Sequence, residues 1–266
     1  MDEKIRVGYS SFLMNRILTY GLDNTSDEYE VVNESPSVLS DMLARDEVDV
    51  ALVPSIEYFK SGNYLLLPNI SITTKYQACS VKLVSSCDFD EMQTVAVDSR
   101  ARTSPILLQI LYGRRNNNWS LKLKERDISE IDTTKFKEDA VLLLGDEALE
   151  FSGTDKKVYD LGEMWWELEH LPFVFAVWAV KQGKNLQGID KTLLLTKNRN
   201  LKQVKEIAED LKKDYTLPPA EIMKYLGRTL QYDLSMTELG GLQTFYKYAI
   251  KGGMVEDGTV LEIYRS

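Results

Sequence analysis

The strongest constraint on the fold is an alternation of strand-like and helical patterns over the first two thirds of the chain. Short aliphatic runs predict strands, and apolar residues at spacings of three and four predict helices at 12–22 and 36–45 between them. The predicted strands are 5–9, 29–32, 48–53, 80–85, 94–98, 140–144, 157–161 and 173–180. Such an alternation favours an α/β fold with a parallel or mixed sheet covered by helices.

The last third of the chain is predicted to be helical. Apolar residues recur at helical spacing in 200–215 and 236–250, and a shorter helix is predicted at 220–227. Pro218 and Pro219 separate the predicted helix at 200–215 from the one at 220–227. At 266 residues the chain is long enough for two modest domains, or for one bilobed unit whose lobes share a cleft.

The charge balance narrows the class of partner. The chain has 41 acidic and 32 basic residues, and its formal net charge is −9. This excess of negative charge argues against nucleic acid or an anionic membrane surface as the main partner. A small anionic ligand would therefore need a local positive site.

Motifs for cofactors and membrane insertion are missing from the sequence. Two cysteines and one histidine do not make a Cys/His metal set, and no glycine motif for phosphate binding is present. We expect neither a metal nor a nucleotide cofactor. The chain begins without an apolar signal segment, and no run approaches the roughly 20 apolar residues of a membrane span. We therefore expect a cytoplasmic protein with no membrane association.

One segment has the composition of an anion site. Arg102, Thr103 and Ser104 follow a predicted strand and open an apolar helical run. A helix N-terminus offers unpaired N–H donors and a favourable dipole, so a cation and two hydroxyls at this point predict a site for a carboxylate. Two alternatives remain open: Thr103 or Ser104 simply caps the helix, and Arg102 forms a surface ion pair.

Small polar residues also follow other predicted strands. Ser11, Ser55 and the pair Gly145 and Asp146 lie where an open α/β sheet presents its ligand crevice, and they are candidate binding residues. A helix cap is the alternative for Ser55, and a cap or a hydrogen bond between lobes is the alternative for Asp146.

Distinctive sequence blocks are spread along nearly the whole chain. The most specific are GDEAL at 145–149 and LPFVFAVW at 171–178. The others are 6–22, 36–58, 80–83, 98–104, 160–162, 232–234 and 241–246. Together they resemble the menaquinone-biosynthesis proteins of the futalosine route, and within them the chorismate dehydratase branch.

The resemblance implies a two-lobed fold similar to type II periplasmic binding proteins, with mixed sheets and a ligand cleft between the lobes. It implies residues 1–85 and 180–266 as lobe 1 and 86–179 as lobe 2. The activity it implies is the loss of water from chorismate to give 3-[(1-carboxyvinyl)oxy]benzoate. We expect a small carboxylate substrate and a monomer or homodimer.

The resemblance also suggests roles for individual residues. Ser55, Thr103 and Ser104 match carboxylate-binding positions, and Ser80 matches a serine near the reacting ring. With no strong base among the matching residues, the enolpyruvyl carboxylate of the substrate is expected to take the ring proton.

Position 14 marks a divergent member. The family usually has Asn where this chain has Met14, and Asn15 follows one place later. Neighbouring helical residues point about 100° apart, so Asn15 substitutes only if the turn is distorted. We therefore keep a second hypothesis, a noncatalytic binding protein for a small cyclic or aromatic carboxylate on the same fold.

Overall fold

The computed structural model describes residues 4–22, 26–128, 132, 135–152 and 155–265. In chain order its strands are β1 (Ile5–Tyr9), β2 (Tyr29–Asn33), β3 (Val50–Pro54), β4 (Tyr64–Thr74), β5 (Val81–Ser85), β6 (Thr94–Asp98), β7 (Lys122–Arg126), β8 (Ala140–Leu144), β9 (Lys157–Asp160), β10 (Phe173–Lys181) and β11 (Leu230–Gln231). Its helices are α1 (Arg16–Thr19), α2 (Pro36–Ala44), α3 (Ser55–Ser61), α4 (Thr103–Asn116), α5 (Gly145–Glu150), α6 (Leu161–Glu169), α7 (Ile189–Lys202), α8 (Val204–Leu211), α9 (Pro219–Lys224) and α10 (Met236–Lys251). A 3-10 turn, Leu13–Asn15, leads into α1.

The strands form two mixed sheets, which define two lobes. The sheet of lobe 1 has the order β11-β4-β10-β3-β1-β2, and that of lobe 2 has the order β7-β6-β8-β5-β9. β1 is parallel to β2 and β3, whereas β10 is antiparallel to β3 and β4. In lobe 2, β6 is parallel to β7 and β8, and β5 is antiparallel to β8 and β9. The prediction of a two-lobed α/β fold with mixed sheets is confirmed.

The chain crosses between the lobes twice. It leaves lobe 1 after β4 and returns at β10, so the crossing segments are 75–80 and 170–172. The expected division placed β5 in lobe 1 and most of β10 in lobe 2. Strand pairing assigns them the other way, because β5 pairs with β8 and β9 while β10 pairs with β3 and β4.

Several elements differ from the sequence prediction, among them the unpredicted strands β7 and β11, and two of the differences have a clear cause. β4 was not predicted, because Pro68 and Asn69 interrupt its apolar pattern; Asn69 has a φ of +60°, and the pairing of β4 with β10 is irregular. The single helix predicted at 200–215 is instead the pair α7 and α8, and α7 begins at Ile189. Residues 189–199 include few apolar residues, and these do not give a strong helical pattern.

Packing between the lobes is extensive on one side of the cleft. One hydrophobic core contains residues of both sheets and of α3, α4 and α10, among them Val53, Ile56, Leu107 and Phe245. α4 of lobe 2 packs against α3 and α10 of lobe 1. On this side of the cleft the two lobes are therefore joined by buried side chains. Within the described ranges, no helix is both long and apolar enough to cross a bilayer.

Candidate functional site

A cleft between the two sheets brings together most of the predicted binding residues. The volume of the cleft is about 900 Å³, including open solvent at its mouth. Much of its wall is apolar and comes from lobe 1, where Phe12, Leu52, Pro54 and Phe175 face it. The polar and charged side chains lining it are Asn15, Ser35, Ser80, Asp98, Arg100, Arg102, Thr103, Ser104 and Glu147. A small cyclic molecule with a polar edge fits this distribution.

The N-terminus of α4 points into the cleft without a side-chain cap. Arg102 occupies the capping position and makes no capping hydrogen bond, so neither hydroxyl closes the helix end as a conventional cap. Within the described part of the chain, Arg102 makes no hydrogen bond or ion pair, and the surface ion-pair alternative is not observed. Ser104 is 8% exposed and lines the cleft without a hydrogen-bond partner among the described residues. The end of α4 therefore has unused donors for an anion.

Thr103 has a different environment from Ser104. Its Oγ1 accepts a hydrogen bond of 3.3 Å from the backbone N–H of Ile56, and it lies 3.5 Å from Oγ of Ser55. Ile56 and Ser55 begin α3 in lobe 1, so these contacts join the two lobes at the base of the cleft. Ser55 is fully buried and does not line the cleft, so its position does not support direct contact with a ligand. Its hydroxyl does not cap α3 either.

Ser80 ends the first crossing segment, and Asp160 holds that segment in place. The carboxylate of Asp160 accepts hydrogen bonds from the backbone N–H groups of Ala78 at 2.8 Å and Cys79 at 2.7 Å. It also caps α6. The Ser80 hydroxyl donates to the Ala78 carbonyl at 3.3 Å, and the Ser80 carbonyl accepts from Gly145 N–H at 2.8 Å. Ser80 thus lines the cleft on a tightly tied segment.

Met14 and Asn15 both line the cleft, because the chain forms a 3-10 turn there rather than an α-helix. Asn15 is 5% exposed, and its Nδ2 donates to the carbonyl of Ser10 at 2.9 Å and to Oγ of Ser10 at 2.7 Å. Both amide hydrogens are used, so Asn15 has only Oδ1 left for a ligand. The local distortion required for Asn15 to reach the cleft is present.

Ser11 and Asp146 do not line this cleft but a second, more open cavity beside it. Ser11 accepts a hydrogen bond from Asn33. Asp146 accepts one of 3.2 Å from the backbone N–H of Leu13 in the opposite lobe, which is the lobe-to-lobe alternative considered for it. Burial raises the pKa of Asp146 to about 6. The expectation that both residues contact the ligand directly is not supported by this placement, whereas Gly145 does line the cleft.

Two charged residues of the cleft, Asp98 and Arg100, were missed by the sequence analysis. Asp98 and Arg100 form a two-point ion pair, with Nε to Oδ1 at 2.9 Å and Nη2 to Oδ2 at 2.5 Å. Burial alone would raise the pKa of Asp98, but the hydrogen bonds from Arg100 outweigh it and lower that pKa. Glu147 is exposed at the rim. Asp98 ends a predicted strand and Arg100 lies just after it, so the strand-end rule that selected Asp146 marks their loop too.

Comparison with known proteins gives a consistent family. A family model described as menaquinone biosynthesis matches residues 5–251. The chain is also 26% identical over 236 residues to the chorismate dehydratase of Thermus thermophilus, covering 82% of this chain and 85% of that protein.

Solved structures support the fold. A protein of Archaeoglobus fulgidus solved by X-ray crystallography has a TM-score of 0.76 at 18% identity and covers 95% of this chain and 98% of its own. The periplasmic aliphatic sulphonate binding protein of Escherichia coli has a TM-score of 0.67 at 16% identity, covering 100% of this chain and 93% of its own. The two lobes and the cleft between them are therefore those of the periplasmic-binding-protein fold.

Proposed function

The chain belongs to the menaquinone biosynthesis family, and on that premise we propose that it is a chorismate dehydratase, which converts chorismate to 3-[(1-carboxyvinyl)oxy]benzoate and water. The similarity to the Thermus thermophilus enzyme supports the choice of substrate. The observation that carries the proposal is the uncapped N-terminus of α4, where Arg102 and Ser104, which have no partner within the described ranges, face a largely apolar cleft. A carboxylate on a carbon ring matches both parts of that surface.

The proposed reaction needs little from the protein beyond positioning. The hydroxyl leaves with its C–O electron pair, and the proton leaves from the neighbouring ring carbon that bears the ether oxygen. The electrons of that C–H bond complete the aromatic ring, which makes the elimination favourable. The protein must orient both groups and exclude bulk water.

The cleft supplies that orientation from both lobes. The ring carboxylate is placed at the N-terminus of α4, with Arg102 and the Ser104 hydroxyl as donors. Phe12 and Phe175 line the cleft on the lobe 1 side and provide an apolar surface for the ring. Lobes of this fold close around a ligand by hinge motion, and such closure would remove water from the ring.

Ser80 and Asn15 are the residues we place beside the reacting atoms. Ser80 lies on the segment fixed by Asp160, and its hydroxyl can turn from the Ala78 carbonyl to the substrate. Because both amide hydrogens of Asn15 are held by Ser10, Asn15 acts through Oδ1 as an acceptor, which can hold the substrate hydroxyl in one orientation. We assign the proton transfer to the enolpyruvyl carboxylate of the substrate. The proposal requires no cofactor.

The remaining parts of the proposal follow from the same assignment. The product would feed the futalosine route to menaquinone, and the enzyme would work in the cytoplasm as a monomer or homodimer.

The direct test is to incubate the purified protein with chorismate and follow the products by liquid chromatography with mass detection. We expect a product lighter than chorismate by one water molecule, formed only with protein. Ser80→Ala should lower kcat more than it changes KM. Unchanged chorismate, in samples where the protein is folded, would reject the dehydratase.

A noncatalytic carboxylate-binding protein is the second candidate, and Met14 favours it. Met14 occupies the cleft position at which the resemblance implies Asn, and its thioether cannot orient a leaving hydroxyl. Binding without turnover, measured as a rise in Tm on adding chorismate with no product formed, would support this candidate.

A further inference from the structure

Arg100 and Arg102 belong to one loop and both line the cleft, but they differ in their hydrogen bonds and ion pairs. Arg102 makes no hydrogen bond or ion pair within the described residues, whereas Arg100 is held by Asp98 two residues before it. The same carboxylate also accepts the backbone N–H of Arg100 at 2.7 Å. Asp98 is 9% exposed, so its position is fixed by packing at the end of β6. The orientation of the Arg100 guanidinium is therefore set by its own loop before any ligand binds.

The pairing with Asp98 uses only one edge of that guanidinium. A guanidinium has five N–H donors, and Asp98 occupies the edge formed by Nε and Nη2. The other edge, formed by Nη1 and Nη2, has no partner among the described residues. The side chain is 53% exposed and lines the cleft. A fixed and unoccupied two-donor edge matches a carboxylate in bidentate geometry.

We propose that Arg100, oriented by Asp98, is the specificity-determining residue that selects ligands with a second carboxylate. The inference deepens the proposed function and rests on it, since chorismate and its product each have two carboxylates. The first carboxylate occupies Arg102 and the N-terminus of α4, and the second binds the free edge of Arg100. Asp98 acts as a positioning residue.

The charges lining the cleft balance one another, so the second carboxylate is selected by hydrogen-bond geometry and not by net charge. Among the described residues that line the cleft, Arg100 and Arg102 are balanced by Asp98 and Glu147. Because Asp98 neutralises Arg100, a carboxylate gains there mainly from two aligned hydrogen bonds. Hydrogen bonds with Asp98 are the main cause of the raised pKa of Arg100, and the charges of Glu147 and Asp127 add to it, so Glu147 in the cleft would repel a carboxylate bound there. Glu147 therefore sets a limit on how tightly the second carboxylate binds.

The test compares two ligands that differ in one carboxylate. Isothermal titration calorimetry is used to measure the Kd of the product 3-[(1-carboxyvinyl)oxy]benzoate and of 3-ethoxybenzoate, which keeps the ring carboxylate and the ether. In Arg100→Gln we expect binding of the product to weaken by about tenfold or more, and binding of 3-ethoxybenzoate by less than about twofold. Glu147→Gln should strengthen binding of the product alone. Arg115→Gln is the matched control, because Arg115 is 55% exposed and ion-paired to Asp90 outside the cleft.

The outcomes separate this inference from the proposed function. Equal weakening of both ligands in Arg100→Gln, no effect on either, or no binding of either to the unmodified protein would overturn the role of Arg100. Turnover of chorismate with any of these results would leave the dehydratase in place without the selection. Selective loss of the dicarboxylate in a protein that does not turn over chorismate would keep the role of Arg100 and reject the dehydratase.

Discussion

The carboxylate of Asp146 accepts a hydrogen bond of 3.2 Å from the backbone N–H of Leu13, and this contact joins α5 of lobe 2 to the 3-10 turn of lobe 1. That turn carries Met14 and Asn15 into the cleft, so the contact holds one of the cleft walls. Burial raises the pKa of Asp146 to about 6, and the nearby acids Glu147 and Glu150 act in the same direction. The Leu13 N–H and Arg16 oppose the rise.

Replacing Asp146 by Asn should stabilise the protein at neutral pH. The amide oxygen still accepts from Leu13, and the cost of burying a charge is removed. Because the pKa of Asp146 is raised in the folded state, its favourable contribution is present below pH 3.8 and is lost as the pH rises through about 6. The advantage in unfolding free energy of Asp146→Asn should therefore grow by up to about 3 kcal/mol between pH 4 and pH 8.

Urea unfolding across that pH range measures this difference. Asp214→Asn serves as control, because Asp214 lines the same cavity but is exposed. We expect its unfolding free energy to follow the unmodified protein within about 0.5 kcal/mol. A difference for Asp146→Asn that does not change with pH would contradict the predicted titration.

At the start of α4, the Thr103 hydroxyl should stabilise the fold, whereas the Ser104 hydroxyl should bind the ligand. Thr103→Val leaves the N–H of Ile56 and the hydroxyl of Ser55 without their shared partner at the buried lobe junction. We expect it to lower the unfolding free energy by about 1–3 kcal/mol. Ser104→Ala removes no existing hydrogen bond, so its stability should change little while its affinity for the ring carboxylate falls about tenfold.

Chemical unfolding and calorimetry with 3-ethoxybenzoate distinguish the two roles. The assignment fails if Ser104→Ala binds as well as the unmodified protein, or if Thr103→Val keeps its full stability.

The sequence placed several residues correctly along the fold without revealing where their side chains point. The strand-end rule located Ser55 and Asp146 at the carboxyl ends of β3 and β8. Whether each side chain faces the cleft depends on packing and on the turn at Gly145, whose φ is +59°. Ser55 is covered by α4, and Asp146 turns to Leu13. Such orientations depend on contacts between lobes that are distant in sequence.

For the charged residues at the rim of the cleft, the sequence did not reveal a role. The strand-end rule marks the loops of Arg100 and Glu147 but does not reveal what their side chains do, because charged residues in loops are usually solvated. Only the pairing of Arg100 with Asp98, and the position of α5 across the cleft, give them a defined place. By contrast, Arg102 and Ser104 were predictable, because a helix N-terminus after a strand has the same chemistry in any α/β fold.

The catalytic amide should be that of Asn15 and not a group at position 14. Asn15→Ala removes the only side-chain amide that lines the cleft within the described residues, and we expect kcat for chorismate to fall about 10²-fold with a smaller change in KM. Met14→Ala removes an apolar contact, so it should raise KM by several-fold while kcat stays within about threefold.

Steady-state kinetics with chorismate give both constants for the two variants. Ser10→Ala is a further check, because it loosens Asn15 without deleting the amide and should lower kcat less than Asn15→Ala. A larger loss of kcat in Met14→Ala than in Asn15→Ala would place the chemistry at position 14.

Two neighbouring glycines of α10 should respond oppositely to the same substitution. A Cβ at Gly241 would lie 2.1 Å from the carbonyl oxygen of Pro172 in the second crossing segment, whereas one at Gly240 would have no heavy atom within 4 Å. Gly241→Ala must push α10 away from the segment that connects the lobes, and we expect a loss of about 2 kcal/mol or more in unfolding free energy. Gly240→Ala should add about 0.5–1 kcal/mol, because alanine loses less backbone entropy than glycine in a helix. Urea unfolding of the two variants measures both effects, and equal stabilities would mean that α10 does not hold the crossing segment in place.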